Sequence, residues 1–168
     1  MMKNEGLVLS IDRDDDWPQE ITDALILHAA NAVSDKIDGT GQIDILLSGD
    51  DHVRALNTAW RGQDKPTNVL SFPMGEIDPS GTILLGDIVL ARETVLREAE
   101  ETGISSSHHV SHLIVHGILH LLGYDHQVDA EAAEMERLET EILAGLGIAD
   151  PYADPPPETE VKPRHADA

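Results

Sequence analysis

The sequence predicts an α/β (α+β) domain, a single four-stranded sheet packed with about five helices. Three observations carry this. Four short apolar runs are bounded by glycine, proline or acidic residues, as strands are; longer segments between and after them repeat apolar residues at helical spacing. A length of 168 residues suits one hydrophobic core.

In chain order, "LVLSID" (7–12) alternates apolar and polar residues and reads as the first strand. An amphipathic helix follows from near Pro18 to about Val33, with Asp16 or Trp17 near its cap. "GQIDILLSG" (41–49) is a strand between glycines, after which Asp50 or Asp51 caps a short helix that carries Leu56 and Trp60 inward. "NVLSFPM" (68–74) is a strand, "MGEIDPSG" is turn chemistry and "LLGDIVLA" (84–91) is the last strand. A helix over about 92–101 ends near Gly103, and Ser105, Ser106 and Ser107 offer N-caps to a long helix reaching Leu122. The final helix, about 128–144, sets Ala, Met, Leu and Ile against an acidic face. Residues 1–150 are expected to form the domain. Residues 151–168 are rich in proline and charge without an apolar face, and are expected to be a disordered tail.

There is no cysteine, so disulfides and thiolate metal ligands are excluded and any metal must be held by histidine and carboxylate. The formal net charge of −21 argues against a nucleic-acid partner at first sight. The acids, however, gather in "DRDDD" (12–16) and over 129–141, whereas 52–66 carries Arg54, Arg61 and Lys65 against the single acid Asp64. Charges more than about 8–10 Å apart are largely screened, so a local basic site can still bind phosphate. No stretch has the apolar length to cross a bilayer or the pattern of a signal peptide, and a cytoplasmic location is expected.

The chemistry concentrates in "HGILHLLGYDH" (116–126). On a helix, His116 and His120 lie one turn apart on one face, and a glycine at 123 can end the helix in a left-handed conformation and bring His126 back toward them. Three imidazoles with no fourth ligand describe an open zinc site at the end of a central helix. The other reading, structural histidines that happen to line up, stays open on spacing alone. His112 extends the stripe, but a straight helix puts it about 12 Å from His120, too far to share an ion. It is read as a supporting residue, and His108 and His109 as polar positions of the first turn.

These residues resemble the YbeY family of endoribonucleases, whose signature HGxLHLxGYDH stands here in full. The likeness extends to "LNTAWRGQDKPTNVLSFP" (56–73), "LGDIVLA" (85–91), "SHLIVHG" (111–117) and "EAAEMERLETEIL" (131–143). Two positions depart: Asn68 stands where the family usually has Asp, and Trp60 where it commonly has Phe. The resemblance implies one Zn2+ per chain on His116, His120 and His126, and a functional arginine at Arg61. Lys65 joins Arg61 as a candidate RNA contact. It further implies a single-strand-specific endoribonuclease of late rRNA processing, including 16S rRNA 3′ end maturation and ribosome quality control. The partners it implies are rRNA, the small ribosomal subunit or its assembly factors.

The histidine spacing is also that of metzincin proteases, which carry a glutamate base where this chain has Gly117. Glycine cannot move a proton, which counts against a peptidase. Asp125 is a candidate proton carrier or simply a turn former. Besides the ribonuclease, a metzincin-like metallohydrolase and a non-catalytic zinc-containing assembly factor remain as alternatives.

Overall fold

The computed structural model describes residues 7–37, 40–124 and 129–149. The elements are β1 (Leu7–Arg13), α1 (Asp23–Lys36), β2 (Gly41–Ser48), α2 (Asp50–Arg61), β3 (Val69–Ile77), β4 (Ile83–Ala91), α3 (Arg92–Thr102), α4 (Ser106–Leu121) and α5 (Asp129–Gly145). Among the described residues, four strands and five helices agree with the expectation, and the expected tail at 151–168 lies outside them.

The sheet runs in the order β1-β2-β4-β3. β1 pairs with β2 and β2 with β4 in parallel, while β3 returns antiparallel to β4. Parallel neighbours need crossovers; α1 supplies the first, and α2 with β3 the second. The β3–β4 hairpin is longer than its sequence suggests, because Ile77 still pairs with Ile83. Its turn is held by Asp78, whose carboxylate accepts from the backbone N–H groups of Ser80 and Thr82 and from the Ser80 hydroxyl at 2.6–2.9 Å.

Alternation along the strands divides the sheet into two faces. Ile43, Ile45, Leu47, Val69, Ile88 and Leu90 enter the main core with apolar residues of α1, α3, α4 and α5. Leu70, Val89 and Ala91 point the other way, where they meet Val53 of α2 and the half-buried Leu56 and Phe72.

Three expectations are corrected. Neither Asp50 nor Asp51 is the cap of α2; Gly49 is, and the two aspartates stand in the first turn. α1 begins at Asp23, not near Pro18, because Pro18 opens a turn (Ile21 N–H to Pro18 O, 3.0 Å) and Thr22 is the cap, accepting from the Leu25 N–H at 3.1 Å. Trp60 does not point inward; it is 70% exposed. The buried residues of α2 are Val53 and Asn57, and the side-chain amide of Asn57 donates to Lys65 O at 2.8 Å. That bond folds the following loop back on the helix while Trp60 stays on the outer side.

α2 and α3 cap one another. The Asp50 N–H donates to Glu93 at 2.8 Å, and Asp50 in turn accepts from the backbone and hydroxyl of Thr94 at 3.0 and 2.8 Å. Each helix thereby satisfies an N-terminal N–H of the other.

Candidate active site

α4 starts as its serines suggest: Ser105 is the cap, its hydroxyl accepting from the His108 N–H at 3.1 Å. It ends as Gly123 suggests. Gly123 has φ +105°, the Gly123 N–H reaches His120 O at 3.0 Å, and the Tyr124 N–H reaches Leu119 O at 3.0 Å. A six-to-one bond of this kind closes a helix and turns the chain away from its axis.

Near this end His116 and His120 stand together, ring centroids 4.7 Å apart and planes at 82°. His112, one turn earlier, lies 6.3 Å from His116. Gly117 faces the sheet: a Cβ there would sit 3.0 Å from Ile88 Cδ1 and 3.2 Å from Ser71 Oγ. The helix thus rests on β3 and β4 through a bare backbone at the position where a metzincin would carry its glutamate, and any side chain there would press on Ile88 and Ser71.

The residue that sequence reading missed is Glu139 of α5, whose side chain is fully buried. It accepts from His112 Nε2 at 3.2 Å and from His116 Nδ1. Burial alone would raise its pKa, but the hydrogen bonds from His112 and His116 outweigh that and hold the carboxyl far below its ordinary range. An ionised carboxylate can only accept, so the proton of His116 belongs on Nδ1, and Nε2 is the nitrogen a metal would use. The signal for Glu139 was its spacing: it shares the apolar stripe of Met135, Leu138, Ile142 and Leu143.

Among the described residues no three histidine or carboxylate side chains are grouped to hold a metal. His126 lies outside them. The two neighbouring imidazoles, one oriented by a buried carboxylate, nevertheless match the donor chemistry of a histidine zinc site.

Arg61 and Lys65 are exposed, Arg61 in the last turn of α2 and Lys65 in the loop after it. They belong to the opposite face of the sheet from α4, but both faces meet at β3, the edge strand. Arg13, Lys36, Arg54, Arg92, Arg97 and Arg137 each pair with a carboxylate. Among the described residues the arginines and lysines outside such pairs are Arg61 and Lys65.

At the start of β3 the Asn68 amide donates to Glu98 at 2.9 Å, and His109 Nε2 meets the same oxygen at 2.9 Å. An aspartate could make the first bond only if one carboxyl were protonated. Burial pushes the Glu98 pKa up, but the bonds to His109 and Asn68 bring it below its usual value. A depressed folded pKa stabilises above the unfolded pKa and loses that stability as pH falls. Glu98→Gln is therefore expected to cost about 1 kcal/mol at neutral pH. In urea titrations the gap between variant and wild type should close on acidification; a gap that widens toward acid contradicts the assignment.

Residues 8–147 match the family model described as Endoribonuclease YbeY. The chain is 51% identical over 152 residues to the endoribonuclease YbeY of Rhodopseudomonas palustris (strain HaA2), covering 83% of this chain and 78% of that one. It is 47% identical over 163 residues to that of Allorhizobium ampelinum, covering 90% and 97%. The solution structure of TM1509 from Thermotoga maritima superposes with a TM-score of 0.55 at 25% identity, covering 91% of this chain and all of that one.

Proposed function

Because the chain belongs to the YbeY family of endoribonucleases, we propose that it cuts single-stranded RNA in a zinc-dependent manner, acting in the cytoplasm on the 3′ end of 16S rRNA within the small ribosomal subunit and in ribosome quality control. The observation that carries the zinc reading is the His116–His120 pair, with His116 oriented by Glu139. His116, His120 and His126 would hold the metal. When bound, zinc lowers the pKa of a water and polarises a phosphoryl oxygen.

Arg61, a cation with no carboxylate competing for it among the described residues, offers a planar two-donor fork to the phosphate as charge develops. Lys65 supplies a further contact to the RNA backbone. Gly117 stands where a glutamate-based peptidase carries its base and cannot move a proton, which disfavours that mechanism. No helix among the described residues is long and apolar enough to cross a membrane.

The test is made on purified protein with labelled single-stranded and duplex RNA. We expect close to one zinc per chain, and loss of both metal and cleavage in His120→Ala. Arg61→Lys should keep zinc and fold but cut roughly tenfold to a hundredfold more slowly in single turnover, with RNA affinity falling less, because the fork acts mainly in the transition state. Full zinc occupancy in His120→Ala, or wild-type cleavage by Arg61→Lys, contradicts the corresponding assignment.

A further inference from the structure

The chain has two tryptophans, two tyrosines and one phenylalanine. Trp17 is buried and donates its indole N–H to Ser48 O at 3.0 Å, as a core tryptophan should. Trp60 differs. It is 70% exposed and packs edge to face against Phe72 of β3, ring centroids 6.2 Å apart and planes at 63°. Phe72 supports the indole along one side and leaves much of the ring in water.

Its neighbours indicate what covers it. Residues 61–65, which follow it, are exposed and consist of arginine, glycine, glutamine, aspartate and lysine, so the chain beside Trp60 is polar. Arg61 and Lys65, the described cations outside ion pairs, follow it within five residues. An exposed aromatic face beside cations unclaimed by carboxylates is the pairing that binds single-stranded nucleic acid: cations follow the phosphates and the ring takes a base.

The edge strand relates this ring to the histidines. Phe72 carries Trp60, and the preceding residue, Ser71, lies against Gly117, the neighbour of His116. Successive strand residues point to opposite faces about 3.3 Å apart along the strand. The indole and the helix that carries His116 and His120 therefore lie on the two sides of the β3 edge.

We propose that Trp60 is a stacking platform for one unpaired base of single-stranded RNA, seated beside Arg61 and Lys65 at the edge of β3. The inference rests on the reading of the protein as an RNA-cutting enzyme and adds to it a base-binding position. Stacking is tolerant of base identity, since every base has a π face, so this position favours unpaired over paired RNA and not one sequence over another. Phe72 orients the ring before the base arrives, which limits the entropy lost on binding.

The experiment titrates the full chain with a 2′-O-methyl oligouridylate of about ten nucleotides, within the span of known single-strand sites, reading tryptophan emission and affinity. Wild-type emission should be quenched as a base covers Trp60, whereas the emission of Trp60→Phe, which comes from buried Trp17, should hardly change. Trp60→Ala should bind roughly five- to a hundredfold more weakly, and Trp60→Phe should recover much of that loss. Little of this side chain is buried, so Trp60→Ala should melt close to wild type. If wild type binds and cuts RNA while Trp60→Ala binds within about twofold of it, the platform is wrong and the enzyme assignment stands. If wild type neither binds nor cuts RNA, the enzyme assignment fails and the platform with it.

Discussion

Glu139→Ala is expected to destabilise the protein by about 3–5 kcal/mol, the usual consequence of removing one partner from a buried charged network. The carboxylate is fully buried and holds rings of two successive turns of α4, so its loss removes the acceptor that both His112 and His116 use. A urea midpoint near that of wild type would show that the network has little structural weight. Glu139→Gln separates fold from site. The amide keeps the volume and one acceptor, and should cost only about 1–2 kcal/mol, leaving a folded protein whose His116 has lost its ionic partner. Zinc affinity in that variant should fall by roughly tenfold to a hundredfold, as it does when the carboxylate behind a ligating histidine is altered. Unchanged affinity would mean that Glu139 braces α5 against α4 and does not tune the ligand.

Gly86→Ala should be nearly as damaging, at about 3 kcal/mol or more, although it removes no contact. Gly86 has φ +146°, and a Cβ there would lie 2.2 Å from Phe72 O, 2.9 Å from Leu121 Cδ2 and 3.0 Å from Pro73 Cα. Two of these neighbours are backbone atoms of the paired strand and cannot move without breaking the β3–β4 ladder. The third is a residue of the last turn of α4, beside His120. The comparison is Gly103→Ala: φ is +73° there, but no atom lies within 4 Å, so only the left-handed conformation is penalised, at about 1 kcal/mol. Equal melting shifts for the two variants would mean that the close approach at Gly86 relaxes without cost.

The four strands were legible because each alternates or runs apolar between breakers, and α4 because serine begins it and glycine ends it. What escaped depends on partners distant in sequence. Trp60 falls on the apolar spacing of α2, yet of that stripe the structure buries Val53 and leaves Trp60 in solvent. The acids of α5 look alike in sequence, yet Glu134 and Glu141 reach Arg137 in solvent while Glu139 goes to the histidines of another helix. His109 reads as a polar first-turn residue until α3 brings Glu98 to it. The strand order, with β3 returned to the edge, is written in no single segment, because the apolar code of β3 and β4 permits several pairings.

That uncovered edge has a consequence for self-association. An exposed outer strand ordinarily offers a row of backbone donors and acceptors on which another polypeptide can add, the first step toward aggregation. β3 interrupts the row: Pro73 has no N–H to give to a strand on either side, and between Pro73 and Glu76 the register with β4 shifts, with Gly75 at φ +67°. A foreign strand could therefore zip along only part of its length before losing step. Pairing in step with this margin is thus confined to the stretch before Pro73, too short a run for an extended intermolecular sheet.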